Sequence, residues 1–96
     1  ENYPKLKIEV EADTVEQAKT AAEAGADIIL LDNMSCEELI QSIELISGRS
    51  KTEASGGITM DTVREIAETG VDYISIGALT HSAPAVDIGF DFDQLS

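Results

Sequence analysis

The chain has few basic residues, and this shortage limits what it can bind. Six lysines and arginines stand against nineteen aspartates and glutamates, giving a formal net charge of −13 over 96 residues. Cations this sparse and scattered argue against a surface built for nucleic acid. The sequence also contains no run of about 18 apolar residues, which argues against a membrane-spanning helix. We therefore expect neither nucleic acid nor a membrane among its partners.

Cysteine is almost absent. The single cysteine, Cys36, excludes an intrachain disulfide and a cysteine-based metal cluster, and it fits a reducing compartment such as the cytoplasm. No histidine or other base lies near Cys36 in the sequence, so we interpret it as a bystander rather than a nucleophile. The chain starts with Glu1 instead of methionine, and we expect it to be a piece of a longer protein.

Strands and helices alternate regularly along the chain. Apolar and charged residues alternate over residues 6–11, which predicts a strand, and three further strands are predicted at 28–32, 51–54 and 73–76. Thr14 with Gln17, and Ser35 with Glu38, have the spacing of capping boxes and predict helix starts. A third helix is predicted from Thr59, and a short helical turn with a loose tail from Thr80.

The spacing of the predicted strands favours a barrel. The strand ends at Glu11, Asp32, Ser55 and Gly77 lie 21, 23 and 22 residues apart. This predicts an α/β fold of four parallel βα units, half of an open (β/α) TIM-like barrel. A flavodoxin-like sheet is the alternative. It is disfavoured because a helix would bury the charged face of the first strand.

Two acidic residues end neighbouring predicted strands. In parallel α/β folds, functional groups gather at the carboxyl ends of the strands. Glu11 and Asp32 could there hold ribose hydroxyls, bind a metal or stabilise a developing cation. Either residue alone is as readily a solvated strand end or a helix cap. Their occurrence at adjacent strand ends favours the functional interpretation.

Glycine-containing turns follow the next two strands. Exposed backbone N–H groups at such turns, together with a helix N-terminus, can cradle a phosphate, although a tight βα turn is the simpler explanation of either one alone. The candidate phosphate-binding residues are Ser55, Gly56, Gly57, Gly77, Ala78 and Leu79. Glu53 and His81 are candidates for supporting roles; Glu53 could equally pair with a lysine.

These motifs resemble those of the quinolinate phosphoribosyltransferase family, in its C-terminal barrel half. The resemblance covers nearly the whole chain in order and spacing, with Cys36 standing where the family often has proline. The matching motifs are KIEVE (7–11), AGAD (24–27), LDNM (31–34), EASGGIT (53–59), ETGVDYI (68–74) and GALTHS (77–82).

The resemblance implies a fold, a reaction and partners. It implies an open α/β barrel preceded by an N-terminal domain, working as a homodimer in the cytoplasm. It implies a transferase of NAD biosynthesis that converts quinolinate and phosphoribosyl diphosphate to nicotinate mononucleotide, diphosphate and carbon dioxide. Glu11 and Asp32 would hold the ribose hydroxyls near Mg²⁺-diphosphate, and the two glycine turns would bind the 5′-phosphate.

Charge indicates that the chain is an incomplete enzyme. Both substrates are anionic, and a chain of net charge −13 repels them. The resemblance implies that the cationic residues that grip quinolinate lie outside residues 1–96, so we expect the isolated chain to be inactive. A related phosphoribosyltransferase of the molybdenum-operon type, or an excised or engineered non-catalytic half-barrel, are the alternatives. A half-barrel also exposes two strand edges, which predicts self-association as a two-fold dimer.

Overall fold

The computed structural model describes residues 7–89, with side chains through residue 86. Strands and helices alternate as far as the fourth strand, which a fifth strand follows directly. The elements are β1 (Glu9–Ala12), α1 (Val15–Glu23), β2 (Ile28–Asp32), α2 (Cys36–Ile46), β3 (Lys51–Ser55), α3 (Val63–Ala67), β4 (Tyr73–Ile76), β5 (Leu79–Ser82) and α4 (Ala83–Gly89). None of the helices in this range has the length and apolar character needed to cross a membrane.

The strands form a single sheet in the order in which they occur along the chain. The order is β1-β2-β3-β4-β5, with β1 to β4 parallel and β5 antiparallel to β4. A flavodoxin-like sheet reverses its strand order at a switch point, and this sheet does not. The half-barrel prediction is therefore confirmed, and the flavodoxin-like alternative is wrong.

The two faces of the sheet differ in what covers them. One face carries small and branched residues that are buried, including Ile29, Leu31, Ala54 and Ile74. Helix α1 packs on this side against β1, β2 and α2. On the opposite face, parallel pairing aligns Glu11, Leu30, Glu53 and Tyr73 in one row, all exposed or half-buried. This second face, called the open face below, corresponds to the lumen side of a barrel.

Local side-chain bonds explain where α1 and α2 begin. Ser35 accepts a hydrogen bond from the Glu38 backbone N–H, and the Glu38 carboxylate accepts one from the Ser35 N–H, which completes the predicted capping box. Thr14 likewise accepts from the Gln17 N–H. The reciprocal bond at α1 differs from the prediction, because the Gln17 side chain accepts from Asp13 instead of Thr14.

Residues 22–29 (AEAGADII) and 67–74 (AETGVDYI) are similar in sequence, and they share a structural feature at the amino ends of their strands. The Asp27 carboxylate accepts a hydrogen bond from the Ile8 N–H at 2.8 Å, and the Asp72 carboxylate accepts one from the Thr52 N–H at 2.9 Å. In both cases the aspartate backbone N–H donates to the carbonyl of the same partner. Each aspartate thus fixes the register of its strand against the preceding one.

Three of the predicted elements differ in their bounds from the structure. The strand predicted over residues 6–11 is β1, which begins at Glu9 and ends at Ala12. Residues 79–82 form β5, because Gly77, at φ 61°, permits a two-residue turn that folds the chain back along β4. The short helical segment predicted from Thr80 therefore begins at Ala83, as α4. Helix α3 begins at Val63 instead of Thr59, because residues 60–62 form a turn in which the Thr62 hydroxyl accepts from the Thr59 N–H. Leu6 and the tail beyond residue 89 lie outside the described residues.

Candidate functional site

Three carboxylates meet at the carboxyl ends of β1 and β2. Oxygen atoms of Glu11, Asp13 and Asp32 all lie within 4.8 Å of one another. The Glu11 and Asp13 side chains are exposed and Asp32 is half-buried. At this distance each pair of charges repels by nearly 1 kcal/mol even in water. The sequence indicated Glu11 and Asp32. The sequence does not single out Asp13, because a position directly before Thr14 is typical of a helix-capping residue.

The acidic cluster, meaning these three residues, connects directly to the turn after β3. The Ser55 hydroxyl donates a hydrogen bond to the Asp32 carboxylate at 3.2 Å. Ser55, Gly56 and Gly57 form this turn, called the glycine turn below. Its two glycines have φ values of 88° and 67°, a backbone conformation that other residues rarely adopt. The structure therefore brings Glu11, Asp32 and the glycine turn to one end of the sheet.

Gly56 is pressed against the end of β2. A Cβ atom at this position would lie 2.6 Å from the Asp32 Oδ1 atom and 2.8 Å from the Asn33 Oδ1 atom. Only a residue without a side chain fits here, so the backbone of the turn can approach the carboxylate closely. Within the described residues, the N–H groups of Gly56 and Gly57 donate to no protein acceptor. They are therefore available to an anionic ligand.

The predicted phosphate site lacks the helix N-terminus that was expected next to the glycine turn. The prediction paired the glycine turn with a helix N-terminus, but α3 starts six residues after Gly57 and has only five residues. The turn therefore contributes N–H groups without the dipole of a following helix.

The second predicted phosphate segment has a different shape from the one expected. Gly77 and Ala78 form the turn of the β4–β5 hairpin, and Leu79 pairs with Ile76 as the first residue of β5. The β4 end lies beside the β3 end because the two strands are parallel neighbours. Gly77, Ala78 and the glycine turn thus share one rim of the sheet. Leu79 is 52 % exposed there.

The two candidates for supporting roles lie on opposite faces of the sheet. The Glu53 carboxylate, on the open face, accepts a hydrogen bond from the Ser75 hydroxyl at 2.6 Å. The Ser75 hydroxyl also lies 3.1 Å from the Thr80 hydroxyl. His81 pairs with the buried residue Ile74, and directly paired residues point to the same face. His81 therefore faces the helices, whereas its neighbour Thr80 lies on the open face, opposite Ser75.

Cys36 lies in the first turn of α2, beside a cavity of about 350 Å³. Burial raises the pKa of its thiol, and the Glu65 carboxylate, which lines the same cavity, raises it further. A raised pKa leaves less thiolate at neutral pH, and thiolate is the reactive form. This agrees with the interpretation of Cys36 as a bystander.

Comparisons with known proteins identify the family. Residues 1–91 match the family model described as quinolinate phosphoribosyl transferase, C-terminal domain. A chloroplastic nicotinate-nucleotide pyrophosphorylase (carboxylating) from Oryza sativa is 45 % identical over 92 % of this chain and 28 % of its own length. The human protein of that name is 45 % identical over 85 % of this chain and 29 % of its own.

A solved structure matches the fold as well as the sequence. The nicotinate-nucleotide pyrophosphorylase of Ehrlichia chaffeensis has a TM-score of 0.72 and 42 % identity, covering 79 % of this chain and 28 % of that one. The chain thus spans less than a third of the length of each of these three relatives. It belongs to the quinolinate phosphoribosyltransferase family, in the region of that family's C-terminal domain.

Proposed function

We propose that this chain is the ribose- and phosphate-binding part of an enzyme that transfers a phosphoribosyl group to quinolinate. The products are nicotinate mononucleotide, diphosphate and carbon dioxide, and the reaction belongs to NAD biosynthesis. One observation carries the proposal: an acidic cluster hydrogen-bonded to a glycine turn with free N–H groups, at one end of a parallel sheet. The family membership and the names of the relatives support it.

The chemistry of the reaction suits these groups. Breaking the bond between the anomeric carbon and diphosphate leaves positive charge on the sugar ring. Carboxylates fixed nearby stabilise that charge without reorganising at the moment of reaction. Glu11 and Asp32 would accept hydrogen bonds from the ribose hydroxyls, and the free N–H groups of Gly56 and Gly57 would donate to the 5′-phosphate.

Mg²⁺ is the cation that we propose for the diphosphate of the substrate. It prefers oxygen ligands, and it typically binds one or two carboxylates together with substrate phosphates. The acidic cluster offers such a donor set. The cluster would hold the ion beside the ribose hydroxyls, and the ion would neutralise charge on the leaving diphosphate.

The rest of the enzyme would supply the positive charge that this chain lacks. Residues 1–96 would form the C-terminal half of the barrel, and the preceding part of the protein would continue the sheet along β1. On the helix side of that edge lies a groove of about 820 Å³, lined by Val10, Thr14, Gln17 and Ala21 among others. A strand edge beside a groove is a surface that a further βα unit could cover.

We further propose that the whole enzyme is a homodimer and works in the cytoplasm of its source cell. Among the described strands, the sheet edge at β5, opposite the one assigned to the missing part, leaves surface for a second subunit. Sedimentation equilibrium of the full-length protein tests the dimer. Cell fractionation tests the compartment, since the rice relative is chloroplastic by name.

The test of the function is an activity assay on three samples. Quinolinate-dependent release of diphosphate should be measured for the full-length protein, for residues 1–96 alone, and for residues 1–96 mixed with the missing part. We expect turnover by the first, none by the second and partial recovery in the third. Absence of turnover by the full-length protein would overturn the proposal, and turnover by the isolated chain would contradict the role assigned to the missing part.

Two variants assign the roles within the site. Glu11→Gln and Asp32→Asn in the full-length protein should each lower kcat by roughly 10²–10³-fold, as expected for removal of one preorganised electrostatic group. Glu44→Gln, an exposed change on α2, is the matched control and should leave kcat unchanged. Equal activity of all three variants would exclude the acidic cluster from the reaction.

A further inference from the structure

Asn33 combines an unusual backbone conformation with an unused side chain. It follows Asp32 directly and has φ 57°, which is uncommon for a residue other than glycine. Its N–H donates to the Ser55 carbonyl at 2.9 Å, one residue beyond the end of β2. This bond ties the backbone of Asn33 to the glycine turn.

The Asn33 carboxamide lies against the glycine turn without bonding to it. Its Oδ1 atom is 2.8 Å from the position that a Cβ of Gly56 would occupy, and 3.7 Å from that of Gly57. The side chain is exposed, and within the described residues it makes no hydrogen bond. Asparagine tolerates a left-handed backbone, which explains the residue type at this position but not the placement of the amide.

We propose that the Asn33 carboxamide is a substrate contact that donates a hydrogen bond to the 5′-phosphate of a phosphorylated pentose at the glycine turn. The proposal rests on the proposed function, which places such a ligand there. The surrounding carboxylates repel a phosphate, whereas the neutral Asn33 carboxamide can donate to one through its Nδ2 group. The atom that faces the glycines is the acceptor Oδ1, so the contact requires a rotation about χ2 that presents Nδ2 instead, and no hydrogen bond of the amide within the described residues opposes that rotation.

Calorimetric titration of the full-length protein tests the contact with two probe ligands. Ribose 5-phosphate carries the 5′-phosphate and inorganic diphosphate does not. Asn33→Gly keeps the left-handed backbone and removes the amide, and it should weaken ribose 5-phosphate binding roughly ten- to a hundred-fold, as expected for a bond to a charged group. Asn33→Asp keeps the shape, replaces the donor with a negative charge and should weaken binding further. Diphosphate binding by Asn33→Gly should match that of the unmodified protein.

The matched control comes from the end of α2. Ser47 also has a left-handed backbone, at φ 54°, and Ser47→Gly should change neither ligand's affinity. Unchanged ribose 5-phosphate binding by Asn33→Gly, an equal loss for both ligands, or no ribose 5-phosphate binding by the unmodified protein would overturn the proposal. A protein that binds ribose 5-phosphate through Asn33 but shows no quinolinate-dependent turnover would overturn only the proposed function.

Discussion

The close approach of Gly56 to the end of β2 makes Gly56→Ala an informative substitution. Two costs are expected. The positive φ of 88° disfavours an alanine by about 1–2 kcal/mol. In addition, the new Cβ would lie 2.6 Å from the Asp32 carboxylate and 3.0 Å from the backbone nitrogen of Asn33. Overpacking of this kind costs roughly 1–3 kcal/mol more, because the backbone of Asn33 is held by the sheet and cannot easily move.

Gly25→Ala separates the two costs. Gly25 has φ 90°, nearly the same as Gly56, but a Cβ there would meet no atom within 4 Å. Gly25→Ala should therefore show the conformational cost alone. Urea unfolding of the chain, followed by circular dichroism, should show Gly56→Ala to be the less stable variant by roughly 1–3 kcal/mol. In the full-length protein, Gly56→Ala should also lower activity, whereas Gly25→Ala should not. Equal stability losses would refute the claim that the turn is pressed against Asp32.

Three further changes test other parts of the structure. Ser35→Ala removes the capping box of α2 and should lower the free energy of unfolding by about 1 kcal/mol, measured by urea denaturation. Asp72→Ala leaves the buried backbone N–H of Thr52 without its acceptor and should lower the free energy of unfolding by roughly 1.5–3 kcal/mol. Asp27→Ala should lower it by less, because water can replace the lost acceptor at the N–H of the exposed residue Ile8. Glu65→Gln should lower the pKa of the Cys36 thiol and so modestly accelerate its alkylation near pH 8. Burial is the larger cause of the raised pKa, so a large acceleration would contradict this explanation.

The sequence was most informative where the signals were local and repeated. The alternation of apolar and charged residues that predicts β1 arises because its side chains face the helices and the open face in turn, and the burial of β1 follows the same period of two. Ser35 and Glu38 predict the start of α2 because a capping box needs only four consecutive residues. The even spacing of the strand ends predicts that Glu11 and Asp32 share one end of the sheet, as the structure shows.

The parts that were missed depend on contacts between distant residues. The segment from Leu79 to Ser82 becomes a strand because it pairs with the edge of β4. No local pattern in the sequence indicates that this edge is available for pairing. The free amide of Asn33 likewise emerges only from its position against Gly56, 23 residues away in the chain. Asp13 belongs to the acidic cluster because β1 lies beside β2, whereas in the sequence it resembles a helix cap.

A crystal structure of the full-length protein with ribose 5-phosphate would test the central claim most directly. The strand ends of β1, β2 and β3 are assigned to one phosphoribosyl site. The ribose hydroxyls should therefore lie within hydrogen-bond distance of Glu11 and Asp32, with the phosphate on the N–H groups of Gly56 and Gly57. A sugar phosphate bound at the amino ends of the strands, or on the helix side of the sheet, would contradict the assignment.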